Sequence, residues 1–162
     1  MPLLLPVLAY SLLAPVGVVA VHEGTHVLAA VAFGVPLREI EVGFYGIHPS
    51  VKYPEWFAGP GKAIVFYTGG VTAGIVALGG YAHWFRRFRR ERSLTTWLCA
   101  LVTVVLAAWQ LSNGYLEGRH TALYIMGSAS PFSVSHLVMG YWMVAAVTVH
   151  VLLNPRRLLR TL

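Results

Sequence analysis

The residues of this chain best equipped for chemistry are His22, Glu23 and His26, the fixed positions of an HExxH segment that reads His22-Glu23-Gly24-Thr25-His26. On a helix, positions i and i+4 share one face about one turn apart, so both imidazoles can address a single ion. Glu23 stands beside them, where a carboxylate can take and return the proton of an attacking water. These groups interrupt an apolar run from Val7 to Phe33. Inside a bilayer each ionisable side chain costs roughly 2.5–3.5 kcal/mol unless it is paired. Three together demand a compensating partner, and one zinc ion per chain is such a partner.

A catalytic zinc usually takes three protein ligands and keeps a fourth position open. His22 and His26 supply two, so the third must come from another helix. Glu117 is the first choice, an acidic residue at membrane depth followed by Gly118. His120, about one helical turn further on, is the second choice. Asn113 has two roles open to it. It is a hydrogen-bond donor to substrate or to a developing oxyanion, or a helix-end residue that satisfies local backbone.

The elements that must position these residues follow from composition. Of 162 residues, 57% are hydrophobic and 11% charged, against a charged share of about 25% in soluble domains. The expected class is an all-α membrane protein, a single polytopic domain over 1–162. The acidic residues are all glutamates: Glu23, Glu39, Glu41, Glu55, Glu91 and Glu117. The net charge of +6 raises nucleic acid as a partner. The basic residues instead cluster beside apolar spans, where they read as topology signals, so the lipid bilayer is the expected surrounding and nucleic acid is not. The single cysteine, Cys99, has no partner for an internal disulfide.

About four spans are expected, near 7–33, 62–85, 94–111 and 134–153. Pro6 and Pro15 start or kink the first, so the helix carrying the motif is expected to begin near Pro15. Gly34-Val35-Pro36 ends it. Alternation of apolar and polar residues over Leu37–Phe44 predicts a strand, Gly46–Ser50 a turn, and Val51–Tyr53 a returning strand, within a hairpin region over 37–60. In the second span Gly70 and Gly74 form a small-xxx-small face for helix packing. The third span is expected to end near Leu111, with Ser112–His120 at its outer end and a loop from Arg119 to Pro131. Arg86–Arg92 and the basic tail after Asn154 put both termini in the cytoplasm and the hairpin outside. The apolar N-terminus lacks the basic start of a signal peptide, and cleavage after Val18-Val19-Ala20 would strand the motif, so the first span is expected to stay.

Several of these features together resemble the site-2 protease family of intramembrane zinc metalloproteases. They are HEGTH in an apolar helix, Gly34-Val35-Pro36, the strand-like Arg38–Phe44, the glycine-rich second span, and Leu116-Glu117-Gly118. The resemblance covers about Val16 to His120. It implies that His22 and His26 bind zinc and that Glu23 is the general base. In that family an Asp in a Leu-Asp-Gly motif completes the site, and Glu117 stands in its place. It further implies hydrolysis of a peptide bond in a transmembrane protein or peptide. The substrate segment must unwind, and the hairpin, through Ile40, Val42 and Phe44, can hold it as an added strand. Many members of the family carry this hairpin on the cytosolic side, whereas the charge pattern here puts it outside.

Other classes meet the same residues differently. The histidines and Glu23 can be a structural polar cluster between helices. The zinc can serve a non-proteolytic membrane hydrolase or an inactive metal-binding homologue. His83, His136 and His150, in the second and fourth spans, offer imidazoles to a haem.

Overall fold

A computed structural model describes residues 4–45, 48–128 and 134–153. It contains helices α1 (Leu4–Ala32), α2 (Pro60–Glu91), α3 (Leu94–Ser128) and α4 (Val134–Leu152), with strands β1 (Glu41–Tyr45) and β2 (His48–Lys52) between α1 and α2. By length and composition α1, α2 and α3 are able to cross a membrane, and α4 is apolar and shorter. Large apolar side chains such as Leu12, Leu13 and Leu28 are exposed along α1. Such a surface belongs in lipid rather than water.

Helix α1 runs unbroken through Pro15, so the motif's helix does not begin there. Proline costs a helix one backbone hydrogen bond, and apolar surroundings offer the neighbouring carbonyl no competing water. The helix stops at Gly34, whose φ of 88° only glycine adopts readily. The Gly34 N–H donates to the Val31 carbonyl at 2.9 Å and the Val35 N–H to the Ala30 carbonyl at 3.0 Å. This paired closure, with the contact between buried Ala30 and Val35, is a Schellman ending.

The expected hairpin is present with its second strand starting earlier: β2 begins at His48, inside the Gly46–Ser50 stretch expected to be turn, and ends at Lys52 rather than Tyr53. A 3₁₀ turn over Leu37–Glu39 takes the place of the first strand residues. β1 then pairs antiparallel with β2 in the register Glu41↔Lys52 to Tyr45↔His48. β2 lies beside α1, which leaves β1 as the outer strand. Ile40 and Tyr53 anchor the hairpin by packing on a core of Ala30, Val35, Phe57 and Val65.

Gly59, with φ of 78°, precedes Pro60 at the start of α2, where the missing proline N–H costs nothing. The helix continues beyond Phe85 through the arginines to Glu91, where Arg92 in the left-handed region closes it. Its small residues Gly69, Gly70, Ala73, Gly74 and Ala77 are buried; Gly70 and Gly74 give α2 its close approach to α3, and Gly69 faces His26 of α1.

Helix α3 departs most from expectation, because it does not end near Leu111 but runs on to Ser128. The Ser112-Asn113-Gly114 segment looks like a helix terminus, yet each of its residues is buried. Ser112 Oγ donates back to the Ala108 and Trp109 carbonyls at 2.8 and 2.9 Å, and Gly114 packs on the backbone of Gly70 and Val71. Helical structure therefore occupies most of the stretch expected to be the Arg119–Pro131 loop. The tail from Asn154 onward lies outside the described residues.

Candidate metal centre

His22 and His26 lie one turn apart on α1, both buried. Their rings meet edge-on with centroids 4.6 Å apart. Glu117 reaches them from α3: its Oε2 is 3.2 Å from His22 Nε2 and 3.5 Å from His26 Nε2, and the two Nε2 atoms are 2.9 Å apart. Among the described residues, His22, His26 and Glu117 form a group able to hold a metal ion, with ligand atoms within 4.8 Å of one another.

The opposite edges of the imidazoles are held from behind. His26 Nδ1 is 2.8 Å from the Val65 carbonyl of α2. A carbonyl only accepts, so this nitrogen carries the proton and donates it. In the neutral ring, His26 Nε2 is then the lone-pair nitrogen. His22 Nδ1 lies 2.6 Å from Gln110 Oε1 of α3, and with that amide oxygen as acceptor the same reasoning leaves His22 Nε2 as a lone pair. Two lone-pair nitrogens and a carboxylate oxygen thus converge on one small volume. Such a cluster is repulsive by itself and is relieved by a cation.

Glycine makes the close packing possible. A Cβ on Gly69 would lie 2.6 Å from His26 Cε1, so only hydrogen fits between α2 and the imidazole. On α3, Gln110, Asn113, Gly114 and Glu117 follow at spacings of three and four, which puts them on one face. Gly114 meets α2 between the turns that carry Gln110 and Glu117. Gly118 is covered by the Tyr67 ring.

Glu23 is half-buried on α1 and close enough to feel the charges of His22, His26 and Glu117. Asn113 is buried on the site-facing side of α3. Val42 and Phe44 project exposed apolar side chains from β1 (65% and 76% exposed), whereas Ile40 turns into the hairpin's anchoring core. The backbone of His120 belongs to α3, and its side chain lies outside the described residues. His83 is exposed against Trp84. His150 is buried against Tyr81, Phe85 and Trp97, with its Nδ1 3.2 Å from the Tyr81 hydroxyl.

Three site features were missed from sequence: Gln110, the Val65 carbonyl and Tyr53. Gln110 carried a usable signal, since an amide within an apolar span needs a partner. A backbone carbonyl carries none. Tyr53 follows β2, and its ring packs on Phe57 and Phe66 with centroids 5.8 Å away in each case. Phe66 in turn packs on His26. Burial, and then the charges of Glu23 and Glu117, push the Tyr53 phenol well above its ordinary range. No family model, curated protein or solved structure matches the chain.

Proposed function

We propose that this chain is an intramembrane zinc metalloprotease that hydrolyses a peptide bond of a membrane-spanning substrate. One observation carries the proposal. Two imidazoles whose Nδ1 atoms engage Gln110 Oε1 and the Val65 carbonyl turn their Nε2 atoms onto a Glu117 oxygen, beside Glu23 and within apolar helices. The donor set fits zinc. For bonds of about 2.0–2.1 Å, ligand atoms at tetrahedral corners lie about 3.3 Å apart, and the separations here are 2.9, 3.2 and 3.5 Å. Three protein ligands leave one corner open, as hydrolytic sites require.

Zinc, when bound, would acidify water and polarise a substrate carbonyl. Glu23 accepts the proton of the attacking water and delivers it to the leaving amine, closing the proton cycle on one carboxylate. Gln110 and the Val65 carbonyl keep both imidazoles in the ligand tautomer. The outer strand β1 offers an unwound substrate segment backbone partners, with Val42 and Phe44 as apolar contacts. All four helices cross the bilayer in this reading, α4 as the shortest span, with the arginine end of α2 in the cytoplasm.

The test is cleavage of a transmembrane peptide by the purified protein. Wild type should cleave. Glu23→Gln should retain zinc and lose activity by about 10²–10⁴-fold. Zinc-loaded Glu23→Gln that still cleaves at the wild-type rate defeats the mechanism.

A further inference from the structure

We propose a lipid site at the far end of α2, where a concavity takes the phosphate of an anionic phospholipid and lays one acyl chain along the helix. The concavity has a volume of about 730 Å³ and is lined by Gly79, Ala82, His83, Arg86, Arg89 and Arg90. Residues 79, 83, 86 and 90 recur at spacings of four, three and four, so they make one stripe along the helix. Its two halves differ in chemistry. Toward the membrane, Gly79 and Ala82 are exposed, and a Cβ on Gly79 would meet nothing within 4 Å, which leaves an open apolar lane. Toward water, His83 and the three arginines are exposed side by side.

The carboxylates of the chain are accounted for elsewhere. Glu23 and Glu117 belong to the metal centre, and Glu39, Glu41 and Glu55 to the hairpin region at the other end of α2. Glu91 is the acidic side chain nearest the arginines in sequence, and Arg87 holds it at 2.6 Å on another face of the helix. Among the described residues, Arg86, Arg89 and Arg90 form no ion pair with a side chain of this protein. These guanidinium groups are open to an anion from outside the protein. Guanidinium forks match phosphate oxygens bidentately, and a basic group at the end of a membrane span meets anionic headgroups at that depth. Trp84, packed on Tyr10 with centroids 5.3 Å apart and under the Arg87 guanidinium, marks the same level as an interfacial belt.

The experiment uses the full chain in vesicles of phosphatidylcholine doped with phosphatidylglycerol, with retained lipid read by native mass spectrometry after extraction. Wild type should retain phosphatidylglycerol in preference to phosphatidylcholine. Arg86→Gln/Arg90→Gln should lower that retention by about 25-fold, roughly fivefold for each arginine. Gly79→Leu, which fills the apolar lane without changing charge, should lower it as well. Arg38→Gln/Lys62→Gln, an equal loss of charge elsewhere, should leave it unchanged, and zinc content should match wild type throughout. An equal fall in the Arg38/Lys62 variant, or no effect of Gly79→Leu, would reduce the observation to a charge field and overturn the site. Displacement of the lipid by millimolar inorganic phosphate would assign the arginines to free phosphate and overturn it too.

Discussion

Gly70 of α2 and Gly114 of α3 meet backbone to backbone: a Cβ on Gly114 would lie 2.9 Å from Gly70 Cα and 2.8 Å from Val71 N. This contact sits between the α3 turns that carry Gln110 and Glu117. It sets how far α3 stands from the helix that positions His26, and so where the Glu117 oxygen falls.

Widening that crossing should damage the metal centre without touching a ligand. Gly114→Val inserts a branched side chain where hydrogen alone fits, and overpacking of this kind costs about 1–3 kcal/mol. Zinc content and thermal unfolding should fall together. Retention of full zinc occupancy would show that the helix separation does not govern the site.

Gly69 and Gly24 make a controlled pair. Gly69→Ala drives a methyl group into the His26 ring, whereas a Cβ on Gly24, inside the motif itself, meets nothing within 4 Å. Gly69→Ala should therefore lose zinc. Gly24→Ala should keep it and gain about 0.5–1 kcal/mol of helix stability. Zinc measured by elemental analysis and unfolding followed by circular dichroism distinguish the two.

Gln110 bears on the candidate metal site through His22, whose Nδ1 lies 2.6 Å from its amide oxygen. Gln110→Leu removes the acceptor for the Nδ1 proton and should weaken zinc binding about 10–100-fold. Gln110→Glu keeps an acceptor oxygen at that position and should restore most of the affinity. Titration against a zinc chelator of known affinity reads both.

Glu117 is held to a narrow length. Glu117→Gln removes the charge and should abolish stoichiometric zinc. Glu117→Asp keeps the charge but withdraws the oxygen by one methylene from a helix fixed by the glycine crossing, and should bind zinc more weakly than wild type. The same chelator titration applies.

Tyr53 predicts an alkaline signature. Its folded phenol holds its proton above the ordinary value of 10 because of burial and the nearby carboxylates. The unfolded chain loses that proton near pH 10, so the contribution is complete below pH 10 and is lost as pH rises from there toward the folded value. Tyr53→Phe has no proton to lose. Its stability should fall less than that of wild type between about pH 10 and 11, measured by chemical unfolding at each pH.

Much of this architecture was legible as pattern. The spacing of His22 and His26 implied a shared helix face, and Glu117 stood out as a carboxylate at membrane depth. The alternation in Leu37–Phe44 signalled the hairpin. The course of α3 was not legible, because Ser112-Asn113-Gly114 spells a helix end in water. Here the serine bonds its own helix and the glycine serves a neighbouring one. The Val65 carbonyl was hidden for another reason: main-chain groups are the same in every residue, and only the packing of α1 on α2 aims this one at His26.

The histidines are emplaced long before their supports exist. The Val65 carbonyl lies 39 residues downstream of His26, and Gln110 lies 88 downstream of His22. During synthesis α1 is made before any of the groups that engage its histidines, and α2 supplies an acceptor to only one imidazole. The ligand set closes when α3 arrives. A nascent chain therefore cannot bring the three ligand atoms together until α3, which carries both Gln110 and Glu117, has been made.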